Sequence, residues 1–141
     1  MSSIGEFIIK DASISEVKNF LSNAGNSLDL FRYFGKRPIN VIDNHVKTLI
    51  VKKKEQVIGY GHLDPEKEKL WLGICVAERF KGKGIGRMIL EELLDSAKYL
   101  NHDEIWLSVD NDNFGAITLY EKFGFRLIES RHNIQFMKLS L

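Results

Sequence analysis

A glycine-rich run lies in the middle of the chain, Lys81-Gly82-Lys83-Gly84-Ile85-Gly86-Arg87, after an apolar segment that ends at Val76. Alternating glycines allow backbone conformations that other residues avoid, and they let a ligand come close to the main chain. The apolar periodicity that follows predicts a helix beginning near Gly84, which adds unpaired N–H groups and the positive end of a helix dipole. The cations in or beside the run, in a chain with a formal net charge of only +1, are Arg79, Lys81, Lys83 and Arg87. The pattern predicts an anion site, and a pyrophosphate fits it.

Three competing assignments of the glycine run agree less well with its residues. A P-loop requires Lys-Ser or Lys-Thr after its glycines, and neither pair follows here. The dinucleotide-binding pattern G-x-G-x-x-G, started at Gly82, would need its third glycine where Arg87 stands. A glycine turn without a ligand would leave the surrounding cations without a function. The anion site is therefore the favoured interpretation.

A second pattern lies between Asn113 and Phe125, and it places one tyrosine on an apolar helical face. Asn113 is typical of a helix N-cap, and Gly124 is typical of a C-terminal cap. The tyrosine is Tyr120, and packing in the core is the usual role of a tyrosine on an apolar helix face.

The two patterns together resemble the GCN5-related N-acetyltransferase (GNAT) family, whose signature Arg/Gln-x-x-Gly-x-Gly/Ala opens the central helix. The run matches this signature with one departure, because Lys81 keeps the charge of the usual arginine but loses its planar fork of donors. The resemblance implies that the loop amides bind the pyrophosphate of coenzyme A. It also implies that the preceding strand and Asn113 bind the pantetheine arm and that Tyr120 is the candidate general acid. Acyl transfer from a thioester to an amine expels a thiolate of pKa about 8.5, which a phenol of pKa about 10 can protonate within hydrogen-bond reach. The implied cofactor-binding residues are Ile74, Val76, Lys81, Gly82, Lys83, Gly84, Ile85, Gly86, Arg87 and Asn113.

The same resemblance implies an enzyme that transfers the acetyl group of acetyl-coenzyme A, as cosubstrate, directly to a primary amine. A small-molecule amine is the predicted acceptor, and an amino sugar, free or linked to a nucleotide, is the specific hypothesis. That hypothesis depends on a basic aromatic cluster, namely Phe31, Arg32, Tyr33, Phe34, Lys36 and Arg37. Packing of these rings with solvated cations is the simpler interpretation. Peptide N-termini, protein lysines and polyamines remain alternative acceptors. A non-catalytic coenzyme A-binding module and a small nucleotide-binding domain remain alternative functions.

No motif specifies the general base. Many members of the family carry a glutamate on the fourth strand, whereas the segment 70–76 contains no acidic residue. His62 and Asp64 alternate on one face of the preceding predicted strand, and Asp110 ends a later one. His62 is the preferred candidate because an unperturbed pKa near 6.5 suits a base at neutral pH, and simple hydrogen bonding is the alternative. Cys75 lies in an apolar strand and is predicted to be a small buried hydrophobe rather than an acyl carrier.

Length and composition favour a single domain over residues 1–141, which the resemblance implies is an N-acetyltransferase domain. Hydrophobic residues make up 44% of the chain and charged residues 28%, which is typical of a soluble globular protein. The nearly neutral charge predicts neither nucleic acid nor membrane as a partner. The single cysteine rules out an intrachain disulfide, no metal is predicted, and the cytoplasm is the predicted location. A monomer or a homodimer is expected.

The predicted elements run in the order β, α, α, β, β, β, α, β, α, β, β. A strand over 6–10 precedes a helix capped by Ser13 and Glu16, and residues 27–45 predict a short helix and a further turn or two. The later ranges are strands over 47–52, 57–63 and 70–76, a helix over 84–100, a strand over 104–109, a helix over 113–123, and strands over 125–128 and 134–139. The fold class is mixed α/β, a mostly antiparallel sheet flanked by helices with one parallel crossover through the glycine turn. The resemblance implies the GNAT-like acyl-CoA N-acyltransferase fold.

Overall fold

The computed structural model describes residues 2–4 and 6–141, and the side chains from residue 6 onward. Eight strands in this part of the chain form one sheet in the order β1-β2-β3-β4-β5-β6-β8-β7. The strands are β1 (Ser2–Ile4), β2 (Phe7–Asp11), β3 (Lys47–Lys53), β4 (Gln56–Glu66), β5 (Lys69–Val76), β6 (Glu104–Asp110), β7 (Arg126–Arg131) and β8 (Ile134–Ser140), and the α-helices are α1 (Ile14–Asn23), α2 (Ile85–Tyr99) and α3 (Phe114–Lys122).

Neighbouring strands are antiparallel except at one position in the sheet. β5 and β6 run parallel, and α2 connects them through the glycine turn. The antiparallel meander of β3, β4 and β5 and the single parallel crossover were both predicted from the sequence, and the mixed α/β class is confirmed.

The helices α1 and α2 pack on opposite faces of β4. Phe20 of α1 stacks on Tyr60, with ring centroids 5.9 Å apart. A Cβ added at Gly61, the next residue, would lie 2.5 Å from the Cγ2 atom of Ile89 on α2. Successive side chains of a strand point to opposite faces, so the sheet lies between the two helices. The glycine lets the apolar face of α2 approach the strand closely, and this contact fixes where α2 begins.

The helix ends follow their predicted caps. Ser13 accepts the N–H of Glu16, and the Glu16 carboxylate accepts the N–H of Ser13, which is the predicted capping box. Asn113 caps α3, and Gly124 follows that helix with a φ of 99°. The caps place α3 so that Tyr120 is buried.

The segment between α1 and β3 differs from the prediction. It contains three short 3₁₀ helices, Gly25–Asp29, Tyr33–Gly35 and Ile39–Asn44, in place of the expected α-helix and turn. Gly25 adopts a φ of 65° directly after α1, and Pro38 is extended with a ψ of 151°. The stretches of chain between these two interruptions and the neighbouring elements are therefore too short for a stable α-helix.

Three strand boundaries also differ from the prediction. β1 was not predicted. β7 ends at Arg131, three residues beyond its predicted end at residue 128. β4 continues through Asp64 and Pro65, which the sequence had placed in a turn. Leu63 is the last residue of β4 paired with β3, so the missing N–H of Pro65 falls beyond the end of that neighbour. The extension keeps Asp64 in the strand, on the same face as His62.

No helix in the described part of the chain is long and apolar enough to cross a membrane.

Candidate functional site

The strands β5 and β6 separate after one paired position, and the gap between them is the centre of the candidate site. Among the described residues, the parallel ladder contains only Trp71 opposite Trp106. Ala77 donates its N–H to β4, and main-chain groups of successive strand residues point to alternate sides. The N–H and C=O groups of Ile74 and Val76 therefore face the gap.

A cavity of about 580 Å³ lies beside the glycine turn, and we call it the turn cavity. Its walls come from the end of β5, the turn itself, the start of α2 and one face of α3. Every predicted cofactor-binding residue lines it except Lys83. Ser27 donates its hydroxyl to the Val76 carbonyl, so the Val76 N–H and both main-chain groups of Ile74 remain available on this side of the cavity.

The glycine turn presents a row of unpaired N–H groups to the turn cavity. Gly82 and Gly84 have φ angles of 77° and 83°, which side chains disfavour. Met88 makes the first bond of α2 by donating its N–H to the Gly84 carbonyl, so the amides of the first helical turn have no acceptor within the helix. Free amides at the positive end of a helix dipole are able to bind an anion.

Two cations of the turn already contact carboxylates. The Lys81 Nζ lies 3.2 Å from a carboxylate oxygen of Glu78, and the Arg87 Nε lies 3.4 Å from one of Glu91. All four side chains are about half exposed, and such surface pairs contribute little to stability. The two cations can therefore exchange these carboxylates for a phosphate at low cost.

Tyr120 lies where the turn cavity meets a second cavity. The residue is buried, its ring packs against Phe125 at 5.6 Å, and its hydroxyl makes no hydrogen bond with any described residue. Burial raises the pKa of Tyr120 above its ordinary value, so the phenol is protonated at neutral pH. The site therefore contains an unengaged proton donor in the wall of both cavities.

The second cavity has a volume of about 400 Å³, and we call it the Asp64 cavity. It extends from Tyr120 and Ile74 along the separated strands β5 and β6. Its walls are aromatic and charged, with Trp71 and Phe136 on one side and Tyr33 on the other. A small amphipathic molecule would fit between these walls, with one end close to Tyr120.

His62 projects into this cavity through a space that Gly73 leaves. A Cβ on Gly73 would lie 2.5 Å from the Nε2 atom of His62, so the ring fills the space of a side chain at position 73. The Nδ1 atom lies 2.7 Å from the Tyr60 hydroxyl, and Nε2 has no hydrogen-bond partner among the described residues. Burial, and then the charges of His45 and Arg37, lower the pKa of His62 well below its ordinary value. The imidazole is therefore neutral at pH 7.

A polar chain lies beside His62 and ends at Asp64. The Tyr33 hydroxyl donates to Oδ2 of Asp64 at 2.6 Å. The Nε2 atom of His45 lies 2.7 Å from the same hydroxyl oxygen, and its Nδ1 lies 2.8 Å from the Thr48 hydroxyl. Because Tyr33 has one proton to donate, His45 donates from Nε2 and accepts from Thr48. Burial lowers the pKa of His45, which favours this neutral form.

The rings of the basic aromatic cluster are half-buried around these groups, whereas its cations Arg32, Lys36 and Arg37 are exposed. Arg32 makes two bonds of 2.8 Å to the carboxylate of Asp110. Arg37 lies over the Tyr33 ring at 4.2 Å from its centroid, and its Nη2 is 3.6 Å from Glu66. The arginine charges that face the cavity are thus already opposed by carboxylates.

The sequence did not identify the contributions of Gly73, Tyr33 and His45. Their only sequence signals were indirect: the segment 70–76 contains a glycine and no acidic residue, and aromatic residues cluster before Pro38. Cys75 lies in the wall of the turn cavity, and burial raises the pKa of its thiol to about 12. The thiol is therefore protonated at neutral pH and is a poor nucleophile.

Comparison with known proteins identifies the family of the chain. A model of the acetyltransferase (GNAT) family matches residues 15–125. The ribosomal protein bS18-alanine N-acetyltransferase of Salmonella typhimurium is 38% identical over 66 residues, which is 47% of this chain and 45% of that protein. The L-amino acid N-acetyltransferase AaaT of Escherichia coli is 31% identical over 88 residues, 58% of this chain and 54% of that protein. The chain thus spans about half the length of these curated relatives.

Solved structures agree with this result at the level of the fold. The PaiA N-acetyltransferase of Thermoplasma acidophilum, solved in complex with coenzyme A, superposes with a TM-score of 0.80 and 19% identity. The match covers 96% of this chain and 99% of that chain. The sequence patterns, the fold and the matched family model agree, and the chain belongs to the acetyltransferase (GNAT) family.

Proposed function

We propose that the chain acts as one acetyl-coenzyme A-dependent N-acetyltransferase domain that acetylates a primary amine of a small molecule. The observation that carries this proposal is the position of Tyr120, whose unengaged hydroxyl belongs to the walls of both cavities. One cavity is suited to a diphosphate and a long flexible arm, and the other to a small amphipathic molecule. The two reactants would therefore meet at the Tyr120 hydroxyl, which is a buried proton donor.

In this proposal the turn cavity binds the cofactor. The amides of residues 82–87 hold the pyrophosphate, and Lys81 and Arg87 add charge at its rim. The main-chain groups of Ile74 and Val76 bind the pantetheine arm and the thioester carbonyl, and Asn113 offers its side-chain amide to the same arm. Asn113 already uses its Oδ1 atom to cap α3, so its NH₂ group is the part that is free to donate.

The chemistry is a direct transfer. The amine nitrogen attacks the thioester carbon, the C–S bond breaks, and Tyr120 gives its proton to the departing thiolate. Burial raises the pKa of the phenol, but it also disfavours a charged thiolate in the same cavity, which keeps the transfer feasible. The proton lost by nitrogen goes to Nε2 of His62 as the N–C bond forms. This requires the tautomer in which Nδ1–H donates to the Tyr60 hydroxyl. The products are the N-acetylated amine and coenzyme A.

The contact between His62 and Gly73 gives a selective test of the proposed base. In Gly73→Ala the new Cβ would displace the imidazole, because it would lie 2.5 Å from Nε2 and 2.6 Å from Cε1. We expect kcat to fall on the order of a hundredfold, the usual effect of a misplaced base, with unchanged binding of coenzyme A by calorimetry. Gly35→Ala is the matched control, because a Cβ there meets nothing within 4 Å. Equal kcat for both variants would remove His62 from the mechanism.

The pH dependence of kcat gives a second test of the same residue. Protonation of His62 abolishes its capacity as a base, and burial together with His45 and Arg37 holds its pKa below the ordinary 6.5. We therefore expect kcat at saturating substrates to stay level as the pH falls from 8 to about 6.5, and to decline only at lower pH. In His62→Asn, kcat should be lower and this acidic decline should disappear. An acidic decline centred above pH 7 would contradict the assignment.

The proposed function is tested by a screen in which acetyl-coenzyme A is combined with amines and the acetylated products are identified by mass spectrometry. The panel contains amino sugars and their nucleotide-linked forms, free amino acids, aliphatic amines and a peptide with an N-terminal alanine. Turnover of at least one small amine, with release of coenzyme A, is expected. Thermal stabilisation by coenzyme A without acetylation of any amine would instead indicate a non-catalytic binding module.

Acetylation of a peptide N-terminus is the second candidate. It is favoured by the relative from Salmonella typhimurium, whose name specifies the alanine of a ribosomal protein. A peptide would have to enter the Asp64 cavity by its terminal amine, with the rest of the chain outside. Clear preference for the alanine peptide over every small amine would favour this candidate.

A further inference from the structure

Asp64 is a buried carboxylate without a cation. The residue is 6% exposed, and the one side-chain hydrogen bond that it makes with the described residues is the short contact from the Tyr33 hydroxyl to Oδ2. No lysine, arginine or histidine nitrogen among the described residues forms an ion pair with it; the pairs around the cavity join Arg32 to Asp110 and Arg37 to Glu66. A buried carboxylate normally requires a charged partner. The wall of the Asp64 cavity therefore holds a carboxylate that is not paired with any basic side chain among the described residues.

The surrounding residues hold this carboxylate rather than neutralise it. His45 donates to the Tyr33 oxygen, and Tyr33 donates its only proton to Oδ2, so the two neutral side chains fix the orientation of Asp64. The other oxygen, Oδ1, accepts no hydrogen bond from the described residues, and it is accessible from the cavity. One carboxylate oxygen is thus available to a group inside the cavity.

The carboxylate lies too far from the proposed reaction centre to bind the reacting nitrogen. Asp64 is opposite Trp71 in the ladder between β4 and β5. Ile74, which borders both cavities, is three residues further along β5, a distance of roughly 10 Å at about 3.3 Å per residue. Trp71 and Phe136 form an apolar wall along this distance, with ring centroids 6.4 Å apart.

We propose that Asp64 binds a second ammonium group of the acceptor, so that the acceptor is a small diamine whose two nitrogens are joined by an apolar linker. One nitrogen lies at Tyr120 and is acetylated, while the other pairs with Oδ1 of Asp64. The linker packs on Trp71 and Phe136. This inference rests on the proposed function, because it assigns the substrate class of the same site.

The test is a binding measurement that does not require turnover. Calorimetry on the protein saturated with coenzyme A compares putrescine with butylamine and cadaverine with pentylamine, pairs that differ by the second amine. We expect each diamine to bind about tenfold or more tightly than its matched monoamine. In Asp64→Asn this preference should fall to near unity, with monoamine affinity within about twofold of the wild type. Asp43→Asn, an exposed acid outside the cavity, should keep the preference.

Equal affinities within each pair in the wild type would overturn the inference, and this comparison needs no variant. A preference that persists in a folded Asp64→Asn protein would overturn it as well. The proposed function fails separately, if no amine in the screen is acetylated. An enzyme that acetylates amines without preferring diamines would retain the proposed function and lose only the assignment of Asp64.

Discussion

Replacement of Tyr120 by phenylalanine is expected to lower kcat on the order of a hundredfold or more, the usual contribution of a positioned general acid. The change removes only the hydroxyl, and that hydroxyl has no hydrogen-bond partner among the described residues. The ring can keep its packing against Phe125. Stability and coenzyme A affinity should therefore stay close to those of the wild type, so the loss would appear in kcat alone. Steady-state kinetics and calorimetry on the same preparation measure both quantities.

Tyr99→Phe is the matched control for this variant. Tyr99 is 86% exposed at the end of α2, so loss of its hydroxyl should leave kcat unchanged. The general-acid role of Tyr120 would be lost if both variants kept wild-type kcat. A fall in coenzyme A affinity without a fall in kcat would instead place the Tyr120 hydroxyl in cofactor binding.

Replacement of Gly84 by glutamate is expected to remove cofactor binding almost completely. The new carboxylate would stand beside the amides proposed to hold the pyrophosphate. Two unit charges of like sign about 4 Å apart repel by about 4 kcal/mol at an effective dielectric constant near 20, which corresponds to about a thousandfold in affinity. Calorimetric titration with coenzyme A measures the loss.

Gly84→Ala separates charge from backbone strain. Both variants must hold a side chain at a φ of 83°, and an added Cβ meets nothing within 4 Å. The shared strain costs about 1–2 kcal/mol of folding stability. We expect alanine to lower the melting temperature while weakening coenzyme A binding far less than glutamate does. Equal binding by the glutamate variant and the wild type would remove the anion site from the glycine turn.

The glycine turn and the helix start beside the turn cavity could be predicted from sequence because main-chain geometry dominates them. Alternating glycines, a helix start and local cations are all visible in the run from Lys81 to Arg87, and the structure places them around one cavity. Only Lys83 falls outside that cavity, because consecutive positions of a turn point in different directions. A local pattern is enough where the ligand binds the backbone.

The acceptor side could not be predicted in the same way, because it is assembled from distant segments. The side chains of Tyr33, His45 and Asp64 meet although Tyr33 lies on one 3₁₀ helix, His45 follows another, and Asp64 lies on β4. The space for His62 depends on Gly73, which lies on the neighbouring strand, and only the strand register shows that the two are opposite. No spacing within one element carries this information.

The same distinction explains the accuracy of the predicted fold. Strands and helices with strong periodicity, such as α2 and the meander, were predicted with nearly correct bounds. The segment 25–44 lacks a regular period, and its short turns are held by contacts such as the packing of Phe31 on Tyr60, with centroids 5.6 Å apart. Tertiary contacts of this kind are set by the rest of the fold rather than by local propensity.

A rapid-quench experiment with acetyl-labelled acetyl-coenzyme A tests direct transfer between the two cavities most directly. The protein is first saturated with the labelled acetyl-coenzyme A and is then mixed with the best acceptor from the amine screen. The label is followed through a single turnover in the coenzyme, the protein and the amine. Direct transfer predicts that label passes from the thioester to the amine nitrogen, that each amide formed releases one coenzyme A, and that no labelled protein accumulates. Label on the protein at Cys75 or elsewhere, or release of coenzyme A without an acetylated amine, would contradict it.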